Sequence, residues 1–208
     1  MVTEKAVVKN LLFDLGGVIM DIERERCVAS LTALGMDKAN ELLGLYVQSG
    51  AFLELEEGKI TASEFRNAMR ERISTNVSDA QLDAAFNDFL IGIPTHRLKS
   101  LRKLKQQYKV FMLSNTNSIM FDSKIDKCFR AEGYTVDDYF DGIALSYKAK
   151  CAKPSPEIFN YTIAHLAINP AETVFFDDSQ KNLDAAMPFG FQTHLVVPGT
   201  EFMDYFKK

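Results

Sequence analysis

Five polar side chains of types that can do chemistry stand at or near the ends of hydrophobic segments. They are Asp14, Ser114, Lys153, Asp177 and Asp178. If folding gathers them, the carboxylates repel one another unless a cation intervenes, and oxygen ligands without a nearby His or Cys cluster favour Mg²⁺. A lysine and a hydroxyl group add positive potential and hydrogen-bond donors, which suit a phosphate. A carboxylate beside Mg²⁺ and a phosphoryl group is placed to attack phosphorus and form an aspartyl-phosphate.

The elements that would gather these side chains are buried strands. Several runs are apolar on both faces, as expected for parallel strands covered on both sides. The strong runs are 9–14, 109–114 and 173–177, and the weaker ones are 143–146 and 192–197. Helical patterns lie between them at 96–107 and 155–167, the second with Ser155 as N-cap and Pro156 at the first position. This alternation predicts a Rossmann-like, doubly wound parallel sheet of the α/β class, which binds ligands at the carboxyl ends of its strands.

The segment from about Glu23 to Leu90 breaks the alternation and contains no convincing strand. Its patterns predict consecutive helices at 23–35, 37–50, 61–74 and 78–90. Two of the helix starts are well signalled, because Thr61 with Glu64 and Ser78 with Gln81 have the spacing of capping boxes.

This arrangement predicts two domains. Residues 1–20 and 93–208 would form a core domain, and residues 21–92 a helical cap domain inserted after the first strand. Met20–Asp21 and 91–95 are the expected hinges. No internal repeat, low-complexity tract or long Pro/Gly linker indicates a further division.

Composition and charge argue against several partners. A formal net charge of −4 and a pI near 5.5 disfavour nucleic acid or an anionic membrane. No apolar run approaches the ~20 residues of a membrane span, and the N-terminus lacks a signal-peptide core. An odd number of cysteines without a CxxC pair indicates reduced thiols in a cytoplasmic protein. Cys151, although close to Lys153, is expected to be a passive small side chain.

Four motifs in order resemble those of the haloacid dehalogenase-like (HAD) hydrolase superfamily, from Lys9 to about Val197. They are 14-DLGGV-18, 113-LSNT-116, 153-KPSPEIF-159 and 175-FFDDSQKN-182, with a cap signature, 57-EGKITASEF-65, between the first two. The resemblance is greatest to the helical-cap phosphatases of the alpha-D-glucose-1-phosphate phosphatase kind and to the N-terminal phosphatase domain of epoxide hydrolases. Each motif is weak alone, but their order and combination are specific.

The resemblance implies roles in phosphate binding and attack. Asp14 would be the nucleophile, and Lys153 would neutralise phosphate charge and steady Asp14. Ser114 would hydrogen-bond the phosphoryl oxygens, helped by the backbone of Leu15 and Asn115.

The resemblance also implies a Mg²⁺ site. Asp178 would ligate the ion together with Asp14 and the carbonyl oxygen of Gly16, and Asp177 would be an outer or shared ligand. Asn182 stands where many family members have another acid, which weakens a supporting role for that position in metal binding.

Gly16 departs from the family pattern. Most phosphatases of the family have Asp there, which protonates the leaving oxygen and later activates water, work worth about 10²–10⁴ in rate. A glycine keeps the backbone carbonyl for the metal but removes the acid. Either the leaving group needs little protonation, as in acyl phosphates, phosphoanhydrides or anomeric sugar phosphates, or another group stands in for the acid. That group would come from the cap or from the loop that carries Asp21 and Glu23.

Three functions fit these residues. The favoured one is a Mg²⁺-dependent phosphatase of a small phosphorylated metabolite, with a sugar phosphate indicated by the resemblance. A haloacid dehalogenase, in which the same aspartate displaces halide without a metal, would explain Gly16 but not the pair Asp177 and Asp178. The third is a catalytically impaired protein that binds a phosphometabolite or a protein partner.

Other residues carry simpler expectations. The histidines are scattered and fit no triad, which disfavours a Ser/His hydrolase. The phenylalanines of the cap most simply form its core; they are Phe52, Phe65, Phe86 and Phe89. The C-terminal segment 200–208 has apolar residues that would cover the sheet edge or pair with a second chain, and we expect a monomer.

Overall fold

The computed structural model describes residues 7–44 and 48–207. Its strands are β1 (Asn10–Phe13), β2 (Asp21–Ile22), β3 (Leu90–Gly92), β4 (Lys109–Ser114), β5 (Gly142–Leu145), β6 (Thr173–Asp177) and β7 (Gln192–Leu195). Five of them form a parallel sheet in the order β5-β4-β1-β6-β7. These are the predicted strands, with β4 and β6 at the predicted bounds, so the predicted α/β class is confirmed.

Helices connect and cover the strands. The α-helices are α1 (Arg24–Ala33), α2 (Ala39–Leu42), α3 (Ala51–Glu56), α4 (Ala62–Arg70), α5 (Asp79–Asn87), α6 (Thr95–Leu104), α7 (Ser118–Met120), α8 (Asp126–Arg130), α9 (Val136–Tyr139), α10 (Ser146–Ala149), α11 (Pro156–Leu166) and α12 (Gln180–Ala186). A π-helical turn, Phe121–Ile125, joins α7 to α8. Turns of 3₁₀ helix lie at Pro170–Glu172, Met187–Phe189 and Phe202–Lys207.

Both faces of the central strands β1, β4 and β6 are covered, which is why these strands are mostly apolar instead of alternating with polar residues. On one face, Leu12 of β1 shares a hydrophobic cluster with Phe159 of α11 and Leu183 of α12. On the opposite face, Phe13 shares a cluster with Leu98 of α6. The two clusters therefore cover the two faces of β1, the central strand of the sheet.

The C-terminal turn packs against this second face. Phe202 is fully buried, and its ring lies 5.0 Å from the ring of Phe13. The rings of Tyr205 and Phe206 lie 5.1 and 6.1 Å from Phe176 of β6. The segment thus covers a face of its own sheet, where the sequence suggested an edge or a second chain. The monomeric state stays a prediction.

The inserted segment between β2 and β3 is helical, as predicted, but the number of its helices and their bounds differ from the prediction. Of the helix predicted at 37–50, only α2 is present in the described part, and residues 45–47 lie outside the described residues. The sequence did not predict α3, which begins after Gly50. That glycine has a φ of 55°, a conformation that ends a helical run and suits glycine best.

The aromatic residues of this segment form its core, as expected. The rings of Phe52, Phe65 and Phe86 lie 5.1–5.4 Å from one another. Both expected capping boxes are present, at Thr61 with Glu64 and at Ser78 with Gln81. The helices of the insertion therefore pack on one another around three phenylalanine rings.

A short antiparallel ribbon joins the insertion to the sheet. It pairs β2 with β3, and its residues fall at the expected hinges. The sequence did not predict these strands, because two or three residues carry no periodicity. The domain bounds 1–20, 93–208 and 21–92 stay a prediction.

Two further expectations concern thiols and membranes. In the described part of the chain, no helix is both long enough and apolar enough to span a bilayer. The cysteines are unpaired, and burial raises the pKa of Cys27 to about 12 and also raises that of Cys151. A thiol held in its protonated form is a weak nucleophile, which agrees with a passive Cys151. The cytoplasmic location stays a prediction.

Candidate active site

Three adjacent strands bring the predicted acidic and hydroxyl residues together. The register places Phe13 of β1 beside Met112 of β4 and Phe176 of β6. Asp14 follows Phe13, and its backbone N–H donates to the carbonyl of Phe176 over 2.8 Å. Because the strands are parallel and in register, the side chains that follow them lie together along the edge formed by the carboxyl ends of the strands.

Lys153 lies at the centre of this edge. Its Nζ is 2.8 Å from Asp14 Oδ1 and 2.8 Å from Asp177 Oδ2, and it also donates to the carbonyl of Leu113 over 3.2 Å. The side chain is buried. Its loop is held by Asn115, whose amide donates to the Lys153 carbonyl over 2.9 Å and accepts from the Lys153 N–H over 2.8 Å. Lys153 therefore bridges two carboxylates from neighbouring strands.

The carboxylate of Asp177 is the most fully bonded acid of the group. Besides Lys153, it accepts from the backbone N–H of Ser179 over 2.8 Å and from the amide of Asn182 over 3.0 and 3.1 Å. It is completely buried. Asn182 thus orients Asp177, a supporting role that its chemistry permits even though it is not an acid.

The other two carboxylates, of Asp14 and Asp178, have raised pKa values. Burial raises the pKa of Asp14 to about 7; Lys153 opposes this rise, whereas Asp177 and Asp178 add to it. Burial and the neighbouring Asp177 raise the pKa of Asp178 to about 6. Burial disfavours the charge on Lys153, but Asp14 and Asp177 outweigh it and raise the pKa of Lys153. One buried cation faces several acids, so the edge is short of positive charge.

The residues at this edge fit a hard divalent cation. Asp14, Asp177 and Asp178 each offer an oxygen, and these oxygens lie within 4.8 Å of one another. Gly17 has a φ of 72°, and a Cβ there would collide with the Asp178 carboxylate, so the second glycine of the motif lets this acid approach. Carboxylate oxygens without His or Cys donors in the cluster are the ligands that Mg²⁺ prefers.

The phosphate-binding donors of the sequence prediction also lie at this edge. Ser114 is buried and its hydroxyl donates to the Asn115 carbonyl over 3.3 Å. The backbone N–H of Leu15 donates to Asp14 Oδ1 over 2.6 Å. Thr116 is also buried, and its hydroxyl oxygen has no hydrogen-bond partner among the described residues. The role of these groups in binding phosphate stays a prediction.

A cavity lies over Asp14. From the sheet side it is lined by Asp14, Gly16, Asn115, Lys153, Asp178 and Asn182. From the insertion side, Gln48, Glu56 and Phe89 complete the wall. The cavity continues into a more apolar part lined by Leu43, Phe86, Leu90, Met120 and Ile125, beside Ser114 and Thr116. The apolar part is therefore lined from both sides, by Leu43, Phe86 and Leu90 of the insertion and by Met120 and Ile125 from the segment after β4.

Glu56 and Gln48 are functional candidates that the sequence reasoning missed. The cap signature begins at residue 57, one residue after Glu56. Nothing in the helical pattern distinguishes Glu56 from Glu54 or Glu57. In the structure Glu56 differs because it is only 9% exposed and lines the cavity.

The acids proposed near the loop exit lie elsewhere. Asp21 accepts from Arg97 Nη1 over 2.7 Å and lines a separate cavity, beside Gly17 and Asp178. Glu23 stands before α1, and its backbone N–H donates to the Phe89 carbonyl over 2.8 Å. Neither side chain lines the cavity over Asp14.

The histidines do not enter the site in the described part of the chain. His96 lies 3.2 Å from Glu201, His165 stacks on Tyr161, and His194 contacts Tyr205. None of them lines the cavity over Asp14. This placement agrees with the expectation that no Ser/His triad operates.

Comparisons with known proteins agree with this geometry. A family model described as haloacid dehalogenase-like hydrolase matches residues 8–190. A D-ribitol-5-phosphate phosphatase from Bacteroides thetaiotaomicron is 36% identical over 187 residues, which cover 90% of this chain and 91% of that protein.

Solved structures show the same similarity. A HAD family enzyme from Bacteroides thetaiotaomicron, in complex with magnesium and inorganic phosphate, superposes with a TM-score of 0.90 at 42% identity, over 96% of this chain and all of that one. An L-2-haloacid dehalogenase from Xanthobacter autotrophicus matches with a TM-score of 0.62 at 20% identity, over 91% of this chain and 78% of that one. The second match concerns the fold alone.

Proposed function

The chain belongs to the haloacid dehalogenase-like hydrolase family, as a phosphatase that uses Mg²⁺, and we propose that it hydrolyses a small sugar or polyol phosphate through an aspartyl-phosphate on Asp14. The observation that carries this proposal is the placement of Asp14 in a cavity, 2.8 Å from the ammonium group of Lys153 and beside Asp178. The phosphatase relative that acts on ribitol 5-phosphate supports the substrate class.

The reaction proposed for these residues has two steps. A carboxylate oxygen of Asp14 attacks phosphorus while the bond from phosphorus to the leaving oxygen breaks, and water then attacks the aspartyl-phosphate and releases inorganic phosphate. Lys153 stabilises the ionised Asp14 before attack and draws charge from the phosphoryl oxygens during it. Ser114 and the backbone N–H groups of Leu15 and Asn115 donate to those oxygens.

Asp14, Asp178 and the carbonyl oxygen of Gly16 would hold the metal, with Asp177 as an outer or shared ligand. When bound, Mg²⁺ supplies positive charge that neutralises the phosphoryl oxygens. Asp177 keeps its bonds to Lys153 and Asn182 in this arrangement, so its contribution is to hold Lys153 against Asp14.

The dehalogenase alternative is less well supported. It would use Asp14 without a metal, yet Asp14, Asp177 and Asp178 form a cluster in which one lysine is the neighbouring cation. An impaired binding protein would not need Asp14 held by Lys153 in a cavity. Both alternatives remain outcomes of the experiment below.

The test is phosphate release from ribitol 5-phosphate, hexose 1- and 6-phosphates, acetyl phosphate and 4-nitrophenyl phosphate, with Mg²⁺ or with a chelator. We expect turnover that requires Mg²⁺ and is abolished in Asp14→Asn. Asp184→Asn, on the exposed side of α12, is the matched control and should keep wild-type rates. Halide release from 2-haloacids without metal would favour the dehalogenase, and no turnover of any substrate would favour the binding protein.

A further inference from the structure

The missing acid at Gly16 leaves a specific chemical need. An alkoxide is a poor leaving group, so hydrolysis of an alkyl phosphate requires a proton donor near the leaving oxygen. Asp14 is the proposed nucleophile, and Asp177 is bonded to Lys153, Ser179 and Asn182. Asp178 also lines the cavity but is a proposed metal ligand, so the donor must be a different group that faces the same cavity.

Glu56 is the acid of the insertion that meets this requirement. It is the last residue of α3 and is 9% exposed. It lines the polar part of the cavity with Asp14 and Lys153, and the apolar part with Ser114 and Thr116. A residue that borders both parts stands where the leaving group of a substrate would pass from phosphorus into the apolar part.

The fold gives Glu56 no structural partner. Among the residues described, none forms a hydrogen bond or an ion pair with its carboxyl group. A buried carboxyl group without a partner costs stability, and α3 would be satisfied by an apolar residue at this position. The neighbouring Glu57, by contrast, forms an ion pair of 2.6 Å with Lys59.

The surroundings favour the protonated form of Glu56 at neutral pH. Burial raises its pKa to about 8; Lys153 opposes the rise, and Asp14 and Glu57 add to it. These are the charged groups that act on it from the sheet and from its own helix. A carboxylic acid that keeps its proton near pH 7 can donate it to a leaving group.

We propose that Glu56 is the catalytic acid and base that replaces the absent acid at Gly16. As the bond from phosphorus to the leaving oxygen breaks, the Glu56 carboxyl group gives its proton to that oxygen and becomes a carboxylate. In the second step the carboxylate takes a proton from the attacking water, whose oxygen bonds to phosphorus while the bond from Asp14 to phosphorus breaks. Glu56 thereby returns to its starting form. This proposal rests on the phosphatase function proposed above.

The proposal assigns the acid to the cap and not to the loop after β1. Asp21 is held by Arg97 in a separate cavity, and Glu23 does not line the cavity over Asp14. A competing role for Glu56 is recognition of a substrate hydroxyl group. Leaving-group dependence separates the two roles, because recognition does not depend on how well the leaving oxygen holds negative charge.

The experiment compares Glu56→Gln with the wild-type enzyme on ribitol 5-phosphate and on 4-nitrophenyl phosphate. We expect kcat/KM for the alkyl phosphate to fall about 10²–10⁴-fold. For the aryl phosphate we expect kcat/KM to stay within about fivefold, because 4-nitrophenolate leaves without a proton. Loss of the base should slow the second step, so the variant should release a stoichiometric burst of 4-nitrophenolate before slow turnover.

Two controls make the result interpretable. Glu57→Gln changes the neighbouring acid and should leave both substrates unaffected. Inhibition by inorganic phosphate should remain within about twofold in Glu56→Gln, which reports an intact site independently of turnover. Equal losses on both substrates, or no loss on either, would overturn the assignment to Glu56. Turnover by Asp14→Asn would instead overturn the proposed function.

Discussion

At the residue scale, the site depends on how few positive charges face its acids. Lys153 bonds to Asp14 and Asp177, and among the described residues no lysine forms an ion pair with Asp178. Burial is the main reason why the pKa of Asp14 and that of Asp178 are both raised, and the neighbouring acids add to the rise. The shortage of positive charge favours binding of a divalent cation at this edge, and a bound cation would in turn favour binding of a phosphate.

The raised pKa of Glu56 predicts a dependence of stability on pH. Its folded pKa of about 8 lies above the ordinary value of 4.5, so between these values the folded protein holds a proton that the unfolded chain has released. Below about pH 4.5 Glu56 is protonated in both states, and its contribution to the stability of the folded protein is fully present. This stability is lost as pH rises towards 8, because the unfolded chain gains free energy by ionising Glu56 and the folded protein does not. Glutamine does not ionise, so Glu56→Gln avoids this loss. Its free energy of unfolding should exceed that of the wild type by on the order of a few kcal/mol at pH 8.5.

Urea unfolding at pH 5 and pH 8.5, in the presence of a chelator, measures this difference. The gain of Glu56→Gln over the wild type should be larger at pH 8.5 than at pH 5, and Glu57→Gln should show no such trend. Parallel pH profiles for wild type and Glu56→Gln would show that Glu56 ionises normally.

Position 16 allows a test of whether a newly introduced acid can replace Glu56. A Cβ at this position would meet only Ile22, at an ordinary contact distance of 3.6 Å, so the site has room for a side chain there. Adding Gly16→Asp to Glu56→Gln should raise kcat/KM for ribitol 5-phosphate at least tenfold over the single variant, because the new acid restores proton donation. Gly16→Ala in the same background is the control and should give no gain. A double variant as slow as the single one would contradict this prediction.

At the element scale, the insertion depends on well-defined helix starts. Thr61 accepts from the backbone N–H of Glu64 over 3.2 Å, and Glu64 accepts from the backbone N–H of Thr61 over 2.7 Å. Thr61→Ala should therefore lower the free energy of unfolding by about 1 kcal/mol. Ser63→Ala, at an exposed position of the same helix, should change it by less than about 0.5 kcal/mol. Equal effects of the two substitutions in urea unfolding would mean that the cap contributes nothing.

The other helices illustrate what makes an element predictable. The helix α11 begins after Ser155 with Pro156 at its first position, as the sequence indicated, because the side chain of Ser155 accepts from the Glu157 N–H over 3.3 Å. The helix α3 has no such signal. It is short, it follows Gly50 without a side-chain cap, and it is stabilised by the packing of Phe52 in the insertion's core.

At the scale of the whole molecule, distant segments close the fold around the sheet. Phe202 is fully buried against Phe13, the residue immediately before the nucleophile candidate. Phe202→Ala should lower the free energy of unfolding by about 3–5 kcal/mol, because it leaves a cavity beside β1. Phe206→Ala, at a partly exposed position, should cost less. Thermal or urea unfolding checks both, and equal losses would contradict the packing described here.

Much of this architecture could be predicted from the sequence. Runs that are apolar on both faces, each ended by a polar residue, located the strands and placed Asp14, Ser114 and Asp177 at one edge. Lys153 was expected beside these residues from a loop before a helix, and its role was implied by the resemblance. The hydrogen bonds from Asn115 hold that loop in place. The ribbon of β2 and β3 and the division of the insertion were missed, because elements of two to six residues are formed by their tertiary contacts.

The sequence by itself determined the sheet, the order of its motifs and the acids at its edge, since these follow from local hydrophobic pattern and strand direction. The tertiary structure alone decided which side chains of the insertion face these acids. Glu54, Glu56 and Glu57 are equivalent as sequence, and only packing of α3 over the sheet buries Glu56 against Asp14's cavity while Glu57 pairs with Lys59. The direction in which a short helix presents a side chain depends on its neighbours, so no local pattern contains it.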